Sequence, residues 1–203
     1  MRDLKSVTAA EAAAVLAWTA LAGDDRVGGI VFDDTSMTEV RPQRSRTAAM
    51  QLLSAVTDRN TAMHADAVVE PAPAMLDQAL AAAERLASHD FLVVIISDFD
   101  VDHEAAQRRM LRLARNNDVV GVVVHDPSAT DLPLVGEFVI SDGELQVELE
   151  GSSARRRVAD FGADRIADVL GWQQATGATM LPLSTAEPAL DQIRHLLGVG
   201  VSR

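Results

Sequence analysis

The sequence predicts an α/β protein: a three-layer α/β/α sandwich with a mostly parallel sheet and an antiparallel hairpin at one edge. Three observations carry this. Leu92–Ile96 and Val119–Val124 are apolar runs rich in β-branched residues, as strands covered on both faces are. Ala-rich helical segments alternate with such runs along the chain, the pattern of a sheet wound between helices. Two short strand patterns, 138–140 and 145–149, flank Ser141-Asp142-Gly143-Glu144, and Asp-Gly between strands signals a hairpin.

Taken in order, residues 6–22 favour helix, with Thr8 and Glu11 at capping-box spacing, an inner face of Val7, Ala14, Trp18 and Leu21, and Gly23 as the stop. Residues 26–32 form a strand that ends in Asp33-Asp34. Met37–Val40 returns as a short strand, which Pro42 confines to an edge. A helix follows over 45–57, with Ala48, Leu52, Leu53 and Val56 inward. Residues 58–73 carry no clear period and two prolines, so a long loop is expected. A helix over 75–87 leads to the strand 91–97, and a helix from Asp102 or His103 to Asn116 leads to the strand 119–124. After the hairpin come a long helix over 154–176 with candidate breaks at Gly162 or Gly171, a strand over 179–183 and a closing helix over 188–197.

A chain of 203 residues, 48% of them hydrophobic, suits a single domain over 1–203 with a substantial core. Only 3% are aromatic and there is no Tyr, so aliphatic side chains must build that core. The net charge of −12, from 30 acids against 18 bases, repels nucleic acid and anionic lipid. The lack of cysteine excludes disulfides, thiolate catalysis and Cys-ligated zinc. No apolar leader core follows Met1, and no apolar run reaches the length of a membrane span. A cytoplasmic location is therefore expected.

The polar chemistry concentrates at strand ends. Ser97 and Asp98 fall at the carboxyl end of a buried strand, where open α/β sheets place their ligands. Asp33 and Asp126 end two more strands, and the four residues make a candidate binding rim. Asp98 is also the candidate ligand for a hard cation such as magnesium, which takes oxygen donors, with Asp100, Asp102 and Glu104 adding acid nearby. Structural readings stand beside these. Asp98 can simply receive backbone N–H bonds, Asp100 or Asp102 can cap the following helix, and Asp126-Pro127 can merely turn the chain. His125 beside Asp126 can act as a base or ligand. Arg155-Arg156-Arg157 reads as a solvated basic face, pairing with Glu148 or Glu150. No nucleophile elbow, phosphate-binding glycine loop or metalloprotease helix motif occurs.

Several segments in a fixed order resemble the bacterial family called domain of unknown function 58. They are Lys5-Ser6-Val7 before an Ala-rich helix, the run from Gly23 to Phe32, Arg41–Arg46, Ile96-Ser97-Asp98-Phe99, Leu113–Val119, His125-Asp126-Pro127 and Leu183-Ser184-Thr185. The resemblance implies a von Willebrand factor A-like fold and, at the carboxyl rim of its sheet, a metal-ion-dependent adhesion site. Of that site's ligands only the Asp after a central strand has a counterpart, Asp98. The Asp-x-Ser-x-Ser motif would lie before Lys5, and Pro71–Met75 holds no hydroxyl where a Thr is expected. The first strand is likewise missing, so an incomplete, N-terminally truncated domain is expected, its gap filled by another segment or a second copy. A homo-oligomer or a marginally stable chain would follow. The resemblance also implies a non-enzymatic adaptor for a MoxR-type AAA+ ATPase. A magnesium-dependent hydrolase, with Asp98 and Asp100 on the metal and Asp126 or His125 as base, is the alternative, as is an inactive truncated fragment.

Overall fold

The computed structural model describes residues 4–62, 72, 74–127, 139–141, 146–148 and 152–196. Its elements run α1 (Lys5–Ala22), β1 (Val27–Phe32), β2 (Met37–Gln43), α2 (Arg46–Ala62), α3 (Ala74–Leu86), β3 (Leu92–Ser97), α4 (His103–Ala114), β4 (Asp118–His125), β5 (Val139–Ser141), β6 (Gln146–Glu148), α5 (Ser152–Thr176), β7 (Thr179–Ser184) and α6 (Ala189–Leu196).

The parallel sheet has the order β3-β4-β7, with Leu92 opposite Asp118 and Val120 opposite Thr179. Alternation along its strands sends side chains to two separate cores. Val94, Ile96, Val122, Val124 and Leu183 meet Ala12 of α1 and Ile193 of α6. Ile95, Val119, Val123 and Met180 meet Leu76 and Leu80 of α3, Met110 and Leu113 of α4, and Val169 and Trp172 of α5. Helices therefore cover both faces, as the all-apolar strands require.

The sheet is smaller than the sequence suggested. Among the described residues β1 pairs only with β2, antiparallel, in a separate two-stranded sheet. The β5–β6 hairpin forms as expected, with Val139 opposite Glu148, but its three-residue strands bond to each other and not to the parallel sheet. Both departures have one physical basis. Apolar alternation says which faces a strand buries, but the choice of edge neighbour rests on backbone hydrogen bonds that every sequence carries. α1 joins the two larger sheets on one face, since Ala17 packs with Val27, Ala49 and Leu52 while Ala12 packs over β4. On the other face Phe32 of β1 reaches the core beneath α3. β1 and β3 thus share their helix cover without a hydrogen bond between them, and Leu92 at the start of β3 is 65% exposed.

Other differences are local. α1 starts at Lys5 with no side-chain cap, and Thr8 lies buried inside it instead of capping it. Its inner face is Thr8, Ala12 and Ala17, because small side chains let the helix lie close across two sheets. Trp18 stays outside, beneath the guanidinium of Arg46 at 5.7 Å from its ring. α2 continues to Ala62, through the first part of the expected loop, and α5 passes Gly162 and Gly171 unbroken. The hairpin turn at Asp142–Glu144 and the Arg155–Arg157 side chains lie outside the described residues. Among the described residues, no helix is long and apolar enough to cross a membrane.

Candidate functional site at the carboxyl rim of the parallel sheet

Asp98 reaches the rim because the next residue turns inward. Phe99 has a left-handed backbone, φ 53°, which is costly for a bulky residue, and its ring is fully buried. The ring meets Trp172 edge-on at 5.5 Å, and Trp172 in turn meets His103 at 5.0 Å. The chain leaves β3, exposes Asp98 and plugs the core with the following side chain. Ser97 supports this turn: its Oγ accepts from the Phe99 amide at 3.0 Å. One Asp98 oxygen accepts from the Asp100 amide at 3.4 Å. The other accepts from Lys5 Nζ, in the first turn of α1, at 3.1 Å. Both partners are well exposed, 50% for Lys5 and 41% for Asp98, so the pair is worth only about 0–1 kcal/mol.

The remaining acids of this loop are held apart. Asp100 pairs with Arg165 of α5 at 2.6 Å, Asp102 caps α4 by accepting from the Ala105 amide, and Glu104 pairs with Arg108. His103 Nδ1 lies 3.0 Å from Asp168. Lysine 5 and Arg165 are the partners that sequence reasoning missed: Lys5 stood in a recognised segment, but nothing local linked it to a residue 93 positions away.

His125 and Asp126 end β4, next to β3, and the Thr185 amide donates to the His125 carbonyl at 3.0 Å. The His125 Nδ1 and Thr185 Oγ1 atoms are buried and make no hydrogen bond among the described residues. Burial pushes the His125 pKa below its ordinary value, the Asp126 carboxylate pulls it back up, and the Lys5 ammonium adds to the lowering. The neutral imidazole is thereby favoured.

Asp33 is positioned differently. It closes the β1–β2 turn, accepting on Oδ1 from the amides of Thr35 and Ser36 at 2.8 Å each and from the Thr35 hydroxyl. Its other oxygen takes Arg59 of α2, which also donates to Ser36 and Thr38. Burial raises its pKa, but the Thr35, Ser36 and Arg59 hydrogen bonds outweigh that and hold it well below the usual carboxylate range. One oxygen closes the turn and the other ties α2 onto the hairpin. Asp34 accepts from the Ala72 amide just before α3. The sign of the pH effect follows from the depressed value: the Asp33 contribution is complete above about pH 4, the unfolded carboxylate value, and is lost as pH falls toward the folded one. Arg59→Met should cost about 2 kcal/mol, the range for losing hydrogen bonds to a charged group. In urea melts, Asp33→Asn should flatten the stability loss between pH 4 and pH 2.5; an unchanged slope would show that Asp33 does not drive it.

Among the described residues no three His, Asp or Glu side chains converge, and the Asp98 oxygens face an ammonium and an amide. A shallow depression bounded by Glu104, Gln107, Arg108, Leu111 and Ala175 lies between α4 and α5.

The family described as "Protein of unknown function DUF58" matches residues 1–166. This chain belongs to that family. Similar proteins include Uncharacterized protein Rv1480 of Mycobacterium tuberculosis and Uncharacterized protein Mb1516 of Mycobacterium bovis, each 30% identical to this DUF58 chain over 187 residues, or 91% of it. The alignment covers 56% of each relative, so the chain spans little more than half their length. No solved structure matches.

Proposed function

We propose that this DUF58 chain is a von Willebrand factor A-like interaction module, without catalytic activity of its own, that docks a basic surface of a protein partner on the Asp98 rim. The observation that carries the reading is the geometry of Asp98. A half-exposed carboxylate stands at the carboxyl end of a covered parallel strand, on a rigid aromatic anchor, and it already grips an ammonium. Rims of this kind are where α/β sheets meet their ligands. The acidic net charge of −12 favours a basic partner over an acidic one. A MoxR-type AAA+ ATPase is the partner proposed, with the module as an adaptor in complex assembly. The hydrolase alternative has less support, because Asp98 and Asp100 serve two different cations 2.6–3.1 Å away instead of one shared centre.

Replacing Asp98 by Asn should reduce capture of a MoxR-type ATPase by about thirtyfold or more, the effect of truncating one partner of a docked charge pair. The fold should survive, since the Lys5 pair is weak and solvent-exposed. Equal capture by wild type and Asp98→Asn, in a pull-down with matched thermal melts, would rule out the rim as the docking surface.

A further inference from the structure

Lys5 sits where helix physics disfavours it. It opens α1, at the positive end of the helix dipole, in a first turn that holds no acid and whose N-cap, Leu4, makes no side-chain hydrogen bond to the helix. A sequence that breaks a local rule without a local gain points to a role elsewhere. What Lys5 gains is Asp98, across 3.1 Å. Its neighbour Leu4 is 72% exposed, so the Leu4 side chain adds no packing to the start of the helix. His125 lies near enough to the same ammonium for it to add to the lowering of the imidazole pKa, while the hydrogen bond of Lys5 goes to Asp98.

We infer that Lys5 is a built-in competitor: its ammonium masks Asp98, and a basic side chain of a partner docks by exchanging with it. The inference rests on the docking reading above and adds its regulation. In the free protein the rim carboxylate is neutralised from within, which spares it an unpaired charge and lowers its affinity for weakly basic surfaces. A partner that presents arginine gains the bidentate geometry that a lysine ammonium lacks, and so displaces Lys5. The released first turn of α1, with Leu4 beside it, then faces the partner.

The test uses the full chain and a fluorescein-labelled hexa-arginine peptide, read by anisotropy at low salt. Lys5→Met should bind the peptide about threefold to fivefold tighter than wild type, the factor an exposed ion pair can supply. Arg85→Met, which removes an equal charge from the exposed Arg85–Glu39 pair on α3, should bind less tightly than Lys5→Met. The Lys5→Met gain should vanish in an Asp98→Asn background. Equal gains from Lys5→Met and Arg85→Met, or a Lys5→Met gain that persists with Asn at position 98, would overturn the exchange and leave docking intact. Asp98→Asn weakening the peptide no more than the remote Asp25→Asn would remove the docking reading, and the exchange with it.

Discussion

Phe99→Ala is expected to lower the unfolding free energy by about 3–5 kcal/mol, the range for deleting a buried aromatic ring. The ring is fully buried and lies in the largest cluster of the molecule, with Ile95, Met110, Val123 and Trp172 around it. Alanine leaves the left-handed backbone at position 99 in place, so the substitution relieves no strain while it opens a cavity and strips Trp172 of its edge-on partner. The effect reaches the rim. Ser97 bonds to the Phe99 amide and Asp98 is the residue between them, so an unanchored turn lets Asp98 wander and capture should fall with stability. Phe99→Leu keeps most of the volume and should cost about 1–2 kcal/mol, near the range for volume-conserving swaps. Urea midpoints at constant m-value measure both. A loss below 1 kcal/mol for Phe99→Ala would mean that the ring does not hold this turn.

Gly28→Ala should be the most damaging single-methyl change outside that core. The register of the β1–β2 pair shifts between Val27 and Gly29, so Arg41 and Pro42 of β2 together face Gly28. This is a bulge, and Pro42 is tolerated there because the ladder needs no N–H from it. A Cβ on residue 28 would lie 2.5 Å from the Pro42 nitrogen and 2.6 Å from the Val40 carbonyl oxygen. Both are backbone atoms and cannot rotate away, so the strands must part. A cost of about 3 kcal/mol, at the upper end for overpacking, is expected in thermal or urea unfolding. A melt within experimental error of wild type would show that the hairpin widens freely. Gly29→Ala makes a useful comparison, since its Cβ would meet only the flexible Leu52 side chain at 2.8 Å and should cost less.

The element order was readable because it depends on local pattern. The aliphatic run before Ser97 and the one before His125 became the two adjacent parallel strands, and the strand ends fell within about two residues of their expected places. Asp102 capped its helix as one of the readings expected. The inner face of α1 was misjudged at Trp18, which looks more apolar than Thr8 and Ala12 but stays outside, while Leu21 packs partly against the core around Val27 and Leu52. What selected the buried face was the closeness of two sheets, which admits small side chains and excludes a large ring. The place of Asp98 just past β3 was legible, while Asp33 is a hairpin residue whose two oxygens are spent on Thr35, Ser36 and Arg59.

The sequence by itself determined which segments are helix or strand, which strands are covered on both faces, and that acids follow β1, β3 and β4. These follow from spacing along the chain, since apolar period and turn chemistry act over a few residues. Only the tertiary structure decided that β1 pairs away from the parallel sheet and that each acid of the β3–α4 loop meets a different partner. It alone brought Lys5 onto Asp98. Ion pairs and edge pairing join groups that are distant in sequence, through forces that any carboxylate, ammonium or backbone amide can supply, so their partners are fixed by where packing leaves them.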